Sequence, residues 1–129
     1  MMKWSDRKRV LIAEDDGLVR ETLRTRLSVA GYDVHVARTG TEALQRVLTV
    51  QPHVLVLDIN MPELDGFGVL EALRLDHPDL KLPVMMLSAR RNEDDVKRAI
   101  SLGARDYVLK AQAETDLLGR IQRLLRKAA

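Results

Sequence analysis

The sequence contains no cysteine. Disulfides and thiolate metal sites are therefore excluded, which fits a reducing compartment, and we expect a cytoplasmic protein. Aromatic residues make up only 3% of the chain although hydrophobic residues make up 46%, so the core must be built from aliphatic side chains. A chain of 129 residues is long enough to bury such a core and has the length of one ordinary domain.

The chain also lacks an excess of either charge and any long apolar run. Its 21 basic and 19 acidic residues give a net charge of +2, too balanced to favour binding to nucleic acid or membranes. No apolar run approaches the ~20 residues needed to cross a bilayer, and the charged start is not followed by the apolar stretch of a signal peptide. We expect one domain over residues 1–129, with its core at about 9–125 and no output domain.

Five short apolar runs, which predict β-strands, each precede a segment with helical spacing of apolar residues. The runs cover residues 9–13, 32–37, 53–57, 82–87 and 106–109. The first, third and fourth are almost continuously apolar, as in strands buried on both faces, the second alternates like a half-exposed edge strand, and the fifth is short. Strict alternation of strand and helix predicts an α/β fold with one doubly wound, five-stranded parallel sheet.

The predicted helices show the same regularity at their ends and on their apolar faces. In the first helix Val19, Leu23, Leu27 and Ala30 repeat at helical spacing, and Gly31 follows as a C-terminal cap. The second helix carries an apolar face that includes Leu48, and the fourth carries one that includes Ile100. These faces are expected to pack on the sheet.

Polar or charged residues follow four of the five predicted strands. The first strand ends in Glu14-Asp15-Asp16, the third in Asp58, the fourth in Ser88 and the fifth in Lys110. Ligands bind at the carboxyl ends of strands in such sheets, so these groups converge if the first and third strands are neighbours. Carboxylates without nearby histidine or cysteine favour Mg²⁺, with Mn²⁺ as an alternative.

This arrangement suits a carboxylate that accepts a phosphoryl group as an acyl phosphate. The metal ion and the lysine would offset the charge of the phosphoryl oxygens, and no histidine base is present for rapid ester hydrolysis. Taken singly, an aspartate after a strand is more often a helix cap, and a pair of acids in a loop is more often solvated. Their occurrence together at four strand ends favours the functional interpretation.

Four segments resemble the response-regulator receiver family, over residues 9–125. They are VLIAEDD at 10–16, VLVLDINMPELDGFGVLEALR at 54–74, PVMMLSAR at 83–90 and GARDYVLK at 103–110. The resemblance implies a flavodoxin-like (βα)₅ fold with strand order 2-1-3-4-5. It also implies a phosphorylation-dependent switch that receives its phosphoryl group from a histidine kinase or phosphotransfer protein. Such a domain catalyses only its own phosphorylation and dephosphorylation.

The resemblance assigns roles to the acids. Asp58 corresponds to the phosphoacceptor, Asp15 to the acid that binds Mg²⁺ directly, and Glu14 to one that acts through a metal-bound water. Asn60 lies where the family supplies a backbone carbonyl to the metal and where the side chain tunes loss of the phosphoryl group. Asp16 matches no invariant position and is interpreted as a helix cap or outer-shell acid.

The remaining assignments concern residues that would bind the phosphoryl group or respond to its arrival. Ser88 corresponds to the hydroxyl that binds the phosphoryl group, Lys110 to the lysine that pairs with it, and Tyr107 to the switch aromatic, although a half-buried strand aromatic would look the same. Arg90 lies beside the site and would tune dephosphorylation in a direction that the sequence leaves open. The face of helix 4, strand 5 and helix 5 would then control a target protein or output domain.

The residue after Lys110 departs from the family. Ala111 follows Lys110 where the family usually has proline with a cis bond. Without proline a cis bond costs ~3 kcal/mol, so this segment is expected to be built differently.

The last helix resembles that of regulators that dimerise when phosphorylated. Asp106 and Arg120 match their cross-dimer ion pairs, but Lys97 falls where that interface is apolar.

Three other functions compete with the switch. A Mg²⁺-dependent phosphatase with an aspartate nucleophile would want a second acid where Asn60 stands. A nucleotide- or flavin-binding module would need a phosphate-binding loop after the first strand, where Glu14-Asp15-Asp16 would repel phosphates. A receiver kept only as a protein-binding scaffold would not need the complete set of acceptor, acids, hydroxyl and lysine.

Overall fold

The computed structural model describes residues 3–128. After a 3₁₀ turn at Trp4–Asp6, five strands alternate with five helices along the chain. The strands are β1 (Arg9–Ala13), β2 (Asp33–Ala37), β3 (Val54–Asp58), β4 (Val84–Ser88) and β5 (Asp106–Leu109). The helices are α1 (Gly17–Val29), α2 (Gly40–Val50), α3 (Gly66–Asp76), α4 (Glu93–Ser101) and α5 (Lys110–Ala128). No helix in this described stretch is long and apolar enough to cross a membrane.

The five strands form one parallel sheet in the order β2-β1-β3-β4-β5, which confirms the predicted fold class and strand order. Every residue of β3 and β4 is buried, as expected for strands covered on both faces. The alternating strand β2 lies at one edge and is only partly buried, as predicted. Strands β1 and β3 are neighbours, so the segments that follow them emerge side by side.

The core is aliphatic and divides between the two faces of the sheet. Leu55 and Leu57 pack in one cluster with side chains of α2, α3 and α4, whereas Val54 and Val56 pack in a second cluster with side chains of α1 and α5. Phe67 is the only aromatic residue that is fully buried among the described residues. The two-residue period of the strands thus sends alternate side chains to opposite helical layers.

The ends of the helices follow the predicted chemistry. Asp16 caps α1, because its Oδ1 atom accepts hydrogen bonds from the backbone N–H groups of Leu18 at 2.9 Å and Val19 at 3.1 Å. The helix is closed at its other end by Gly31, whose φ of +99° is readily adopted only by glycine. The interpretation of Asp16 as a cap is therefore confirmed.

The structure differs from the sequence-based expectations at several apolar positions. Ala30 is the exposed C-cap of α1 and not part of its buried face. Leu48 is 51% exposed and Ile100 is 61% exposed, whereas the buried positions of these helices include Ala43 and Val47 in α2 and Ala99 in α4. Strand β4 begins at Val84, after the proline, and not at residue 82.

The segment after Lys110 is a helix and not a loop. Strand β5 ends at Leu109 and α5 begins at the next residue, and residues 3–128 contain no cis peptide bond. The expected departure from the usual geometry at Ala111 therefore takes the form of a direct strand-to-helix junction.

Two glycines in helices differ sharply in the space around them. A Cβ atom on Gly40 would lie 1.9 Å from the backbone carbonyl oxygen of Leu64, whereas one on Gly119 would meet nothing within 4 Å. We expect Gly40→Ala to destabilise the fold by about 1–3 kcal/mol through overpacking. Gly119→Ala, the matched control, should stabilise it by about 0.5–1 kcal/mol. Urea unfolding measures both, and a Gly40→Ala variant as stable as wild type would contradict this packing.

Candidate functional site

Three acids meet where β1 and β3 end. Glu14 directly follows β1 and Asp58 is the last residue of β3; their side chains are 0% and 1% exposed, whereas Asp15 is exposed. One carboxylate oxygen from each of the three lies within 4.8 Å of the others. We call Glu14, Asp15 and Asp58 the acid pocket. The sequence predicted that these three acids would converge, and the structure brings them together.

Lys110 places its ammonium group between the two buried acids. Its Nζ atom lies 2.8 Å from Oε1 of Glu14 and 3.1 Å from Oδ2 of Asp58. Burial disfavours the charged ammonium, but the hydrogen bonds and charges of Glu14 and Asp58 outweigh it and raise the pKa of Lys110. The lysine is therefore a fixed positive charge at the acid pocket.

One ammonium does not balance the acid pocket. Burial, followed by the charge and the hydrogen bond of Glu14, raises the pKa of Asp58 to about 7 even though Lys110 opposes the shift. The Oε2 atom of Glu14 is buried and has no hydrogen-bond partner among the described residues. Both observations fit a further cation. With three carboxylates and no histidine or cysteine, the donor set suits Mg²⁺ or Mn²⁺.

Backbone groups orient the buried carboxylates. The N–H of Asn60 donates to Oδ1 of Asp58 at 3.3 Å, and the N–H of Asp16 donates to Oε1 of Glu14 at 3.3 Å. Asp58 is thus contacted on one oxygen by Lys110 and on the other by the backbone. The side chain of Asn60 is exposed beside the pocket, where it can meet solvent or a ligand.

The fourth and fifth strands bring Ser88 and Tyr107 to one backbone acceptor. The Oγ atom of Ser88 donates to the carbonyl oxygen of Arg90, and the hydroxyl of Tyr107 lies 3.4 Å from that same oxygen. In the other direction the Arg90 N–H donates to Oγ of Ser88 at 3.2 Å. Ser88 is buried, Tyr107 is half-buried, and Arg90 is exposed.

The residues predicted to form cross-dimer ion pairs are paired within the chain. Arg120 Nη1 lies 2.7 Å from Oδ1 of Asp106, and its Nη2 lies 3.7 Å from Oδ2 of Asp116. Lys97 is exposed and lies 3.5 Å from a carboxylate oxygen of Glu93, one turn earlier on α4. A cross-dimer pair would compete with these internal contacts, and phosphorylation-dependent dimerisation stays a prediction.

Sequence reasoning missed Arg20. This residue of α1 is only 8% exposed, and its Nη1 atom donates to the carbonyl oxygens of Glu14 at 3.0 Å and Asp15 at 3.3 Å. Arg24, one turn later on α1, instead contacts Glu21 near the surface, and nothing in the local sequence distinguishes the two arginines.

The strand order and the buried carboxylates at adjacent strand ends define a flavodoxin-like α/β protein with its site at the topological switch point. Residues 10–122 match the family described as the response regulator receiver domain. The chain belongs to this family, whose members act in two-component signalling.

Individual relatives are also named as response regulators. Response regulator MprA of Mycobacterium ulcerans is 42% identical over 119 residues, covering 92% of this chain and 50% of that protein. The Mycobacterium leprae protein of the same name is 44% identical, covering 92% and 51%. The chain spans about half the length of these curated relatives.

Solved structures are similar over nearly the whole chain. The receiver domain of the Francisella response regulator 1452 has a TM-score of 0.86 and 31% identity, covering 95% of this chain and 99% of that one. The chemotaxis protein CheY4 of Vibrio cholerae has a TM-score of 0.85 and 28% identity, covering 92% and 99%. The fold described above is thus the fold of known receiver domains.

The raised pKa of Asp58 predicts a pH-dependent effect of Asp58→Asn on stability. In metal-free protein, ionising Asp58 disfavours folding, because its pKa rises from 3.8 in the unfolded chain to about 7 in the folded one. This cost is absent below the lower pKa, grows between the two values and is complete above the higher one. Asp58→Asn should therefore raise the free energy of unfolding by about 1–3 kcal/mol at pH 8, and by less at pH 5.

Urea unfolding in EDTA at both pH values measures this effect. Asp65→Asn is the matched control: it makes the same substitution at the exposed N-cap of α3, where asparagine retains the capping oxygen. Equal stability of Asp58→Asn and wild type at pH 8 would contradict the charge imbalance of the acid pocket.

Proposed function

We propose that this domain is a phosphorylation-dependent signalling switch in which Asp58 accepts a phosphoryl group from a histidine kinase or phosphotransfer protein. One observation carries the proposal: the buried carboxylate of Asp58 contacts Lys110 at 3.1 Å and shares the pocket with the oxygens of Glu14 and Asp15. Family membership supports the same function.

In the transfer, a carboxylate oxygen of Asp58 attacks the phosphorus atom of a phosphohistidine donor. The O–P bond forms as the N–P bond breaks, and the electron pair stays on the histidine nitrogen. The product is an acyl phosphate on Asp58. Lys110 already lies at the carboxylate and would pair with a phosphoryl oxygen, which lowers the cost of bringing two anions together.

Mg²⁺, or Mn²⁺ in its place, would be held by Asp15, Asp58 and the backbone carbonyl of Asn60, with Glu14 acting through a water. When bound, the ion supplies positive charge to the phosphoryl oxygens during transfer. The raised pKa of Asp58 and the unpartnered Oε2 of Glu14 support a cation at this position. The ionised form of Asp58 would serve as both the nucleophile and a metal ligand.

The switch would run through Ser88 and Tyr107. Both hydroxyls contact the carbonyl oxygen of Arg90, so a phosphoryl group that draws the Ser88 hydroxyl away leaves this acceptor to Tyr107. Tyr107 would then move with the loop that precedes α4. The face of α4, β5 and α5 would change and control a target protein or an output domain. Arg90 and Asn60 would set the rate at which water removes the phosphoryl group.

Intact mass tests the acceptor. With acetyl phosphate and Mg²⁺, the wild-type protein should gain one phosphoryl group, and the gain should disappear in EDTA or in Asp58→Asn because the nucleophile or the metal ion is missing. Asp16→Asn is the matched control, since it changes the neighbouring acid that only caps α1 and leaves a capping oxygen in place.

Two results would contradict this function. The switch fails if wild-type protein gains no phosphoryl group from acetyl phosphate, a phosphoramidate or a phosphorylated histidine donor. Multiple turnover on simple phosphate esters would instead indicate the phosphatase, whose second acid is replaced here by Asn60.

Ser88→Ala tests the path to the output face. Phosphorylation of wild-type protein should shift the amide NMR signals of α4 and β5, and these shifts should shrink at least about twofold in Ser88→Ala, because the hydroxyl that links the phosphoryl group to the Arg90 carbonyl is gone. Ser101→Ala, whose hydroxyl contacts only Arg98 at the end of α4, should behave like wild type. Undiminished shifts in Ser88→Ala would contradict this path.

A further inference from the structure

Four polar or charged side chains are buried in the described part of the chain: Glu14, Arg20, Asp58 and Ser88. The proposed switch uses three of them directly. Arg20 is the fourth, and no role in the phosphorylation chemistry falls to it. Burial of a guanidinium is costly unless the group is well hydrogen-bonded, so its position calls for a physical reason.

The contacts of Arg20 are with the backbone of the acid pocket. Where the chain leaves β1, the N–H of Glu14 still pairs with the Ala37 carbonyl of β2 at 3.0 Å. The carbonyls of Glu14 and Asp15 instead accept hydrogen bonds from Nη1 of Arg20, at 3.0 and 3.3 Å. One side-chain nitrogen on α1 thus holds two consecutive carbonyls of the loop that carries the pocket acids.

The charge of Arg20 does not itself help a metal ion to bind. A guanidinium close to the pocket repels a divalent cation, and Glu21, at 3.8 Å from Nε, is too exposed and distant to neutralise it. The Nε atom has no hydrogen-bond partner among the described residues. A favourable contribution from Arg20 must therefore come through the geometry of the loop.

We propose that Arg20 is a positioning residue that fixes the loop of Glu14 and Asp15, so that their carboxylates are held ready for the metal ion. This inference rests on the proposed function, because it concerns the metal site of the same switch. It predicts that the affinity for Mg²⁺ depends on Arg20, although Arg20 carries the same sign of charge as the ion.

A Mg²⁺ titration followed by amide NMR shifts, at a temperature where every variant is folded, tests this role. Arg20→Met should raise the dissociation constant by about tenfold, the size of effect seen when a group that orients a metal ligand is lost. Arg20→Lys, which keeps the charge but not the planar fork, should give a smaller rise of about threefold. The Arg20→Lys variant also serves if Arg20→Met does not fold.

Two controls separate positioning from general destabilisation. Arg24→Met makes the same substitution one turn later on α1, where the side chain contacts only Glu21, and should leave the affinity unchanged. Leu27→Ala removes a fully buried side chain near the C-terminal end of α1, so it should lower stability without weakening Mg²⁺ binding. In phosphorylation by acetyl phosphate, Arg20→Met should raise the Mg²⁺ concentration for half-maximal rate and leave the rate at saturating Mg²⁺ unchanged.

The outcomes distinguish this inference from the proposed function. Tighter Mg²⁺ binding in Arg20→Met would show that charge repulsion outweighs positioning and would overturn the inference. Unchanged affinity in Arg20→Met and Arg20→Lys, or an equal loss in Leu27→Ala, would overturn it as well and leave the switch intact. If wild-type protein neither binds Mg²⁺ nor accepts a phosphoryl group, the proposed function and the inference fall together.

Discussion

The pairing of one ammonium with two buried carboxylates is the constraint on which the site depends. Glu14 and Asp58 are almost inaccessible to solvent, and Lys110 lies within hydrogen-bond distance of both. Two buried anions beside one cation leave a net negative charge in a region of low polarity, which is unfavourable for the isolated fold. The same imbalance makes the pocket receptive to a second cation, which would lie close to Asp58, the proposed nucleophile. The chemistry proposed for the site therefore depends on an arrangement that costs stability.

The fold must be rigid to hold such a pocket together. Strands β1 and β3 lie side by side in a sheet covered on both faces, and their alternate side chains fill two separate aliphatic clusters. Neither Glu14 nor Asp58 can relax far into solvent without disturbing a strand that is packed on both faces. The backbone N–H groups of Asp16 and Asn60 donate to the carboxylates of Glu14 and Asp58, so backbone and side chains share in the electrostatics of the pocket.

Most of the fold and the acid pocket could be predicted from the sequence, because the sequence patterns that indicate them are local or repeated. The strands are short apolar runs, and the rule that ligands bind at carboxyl ends brings Glu14, Asp58 and Lys110 to one edge once β1 and β3 are neighbours. Arg20 could not be found in this way. Whether an arginine on an amphipathic helix faces solvent or a loop depends on where the loop passes, which is a tertiary property. The direct junction between β5 and α5 was equally hidden, since Ala111 shows only that the usual proline is absent.

That junction bears on how a change at the pocket could reach the surface. Lys110 is the first residue of α5, and no flexible linker separates it from the last residue of β5. Its side chain is tied to Glu14 and Asp58 while its backbone starts a helix whose Ala113, Leu117 and Ile121 are fully buried against the sheet. A displacement of Nζ toward an arriving anion would therefore act on the end of a packed helix, where small shifts are absorbed by repacking and not by a loop. Elsewhere in the site, the hydroxyl groups of Ser88 in β4 and Tyr107 in β5 both contact the carbonyl oxygen of Arg90. The proposed output face would thus be coupled to the pocket at two points, one through an ion pair and one through a shared hydrogen-bond acceptor.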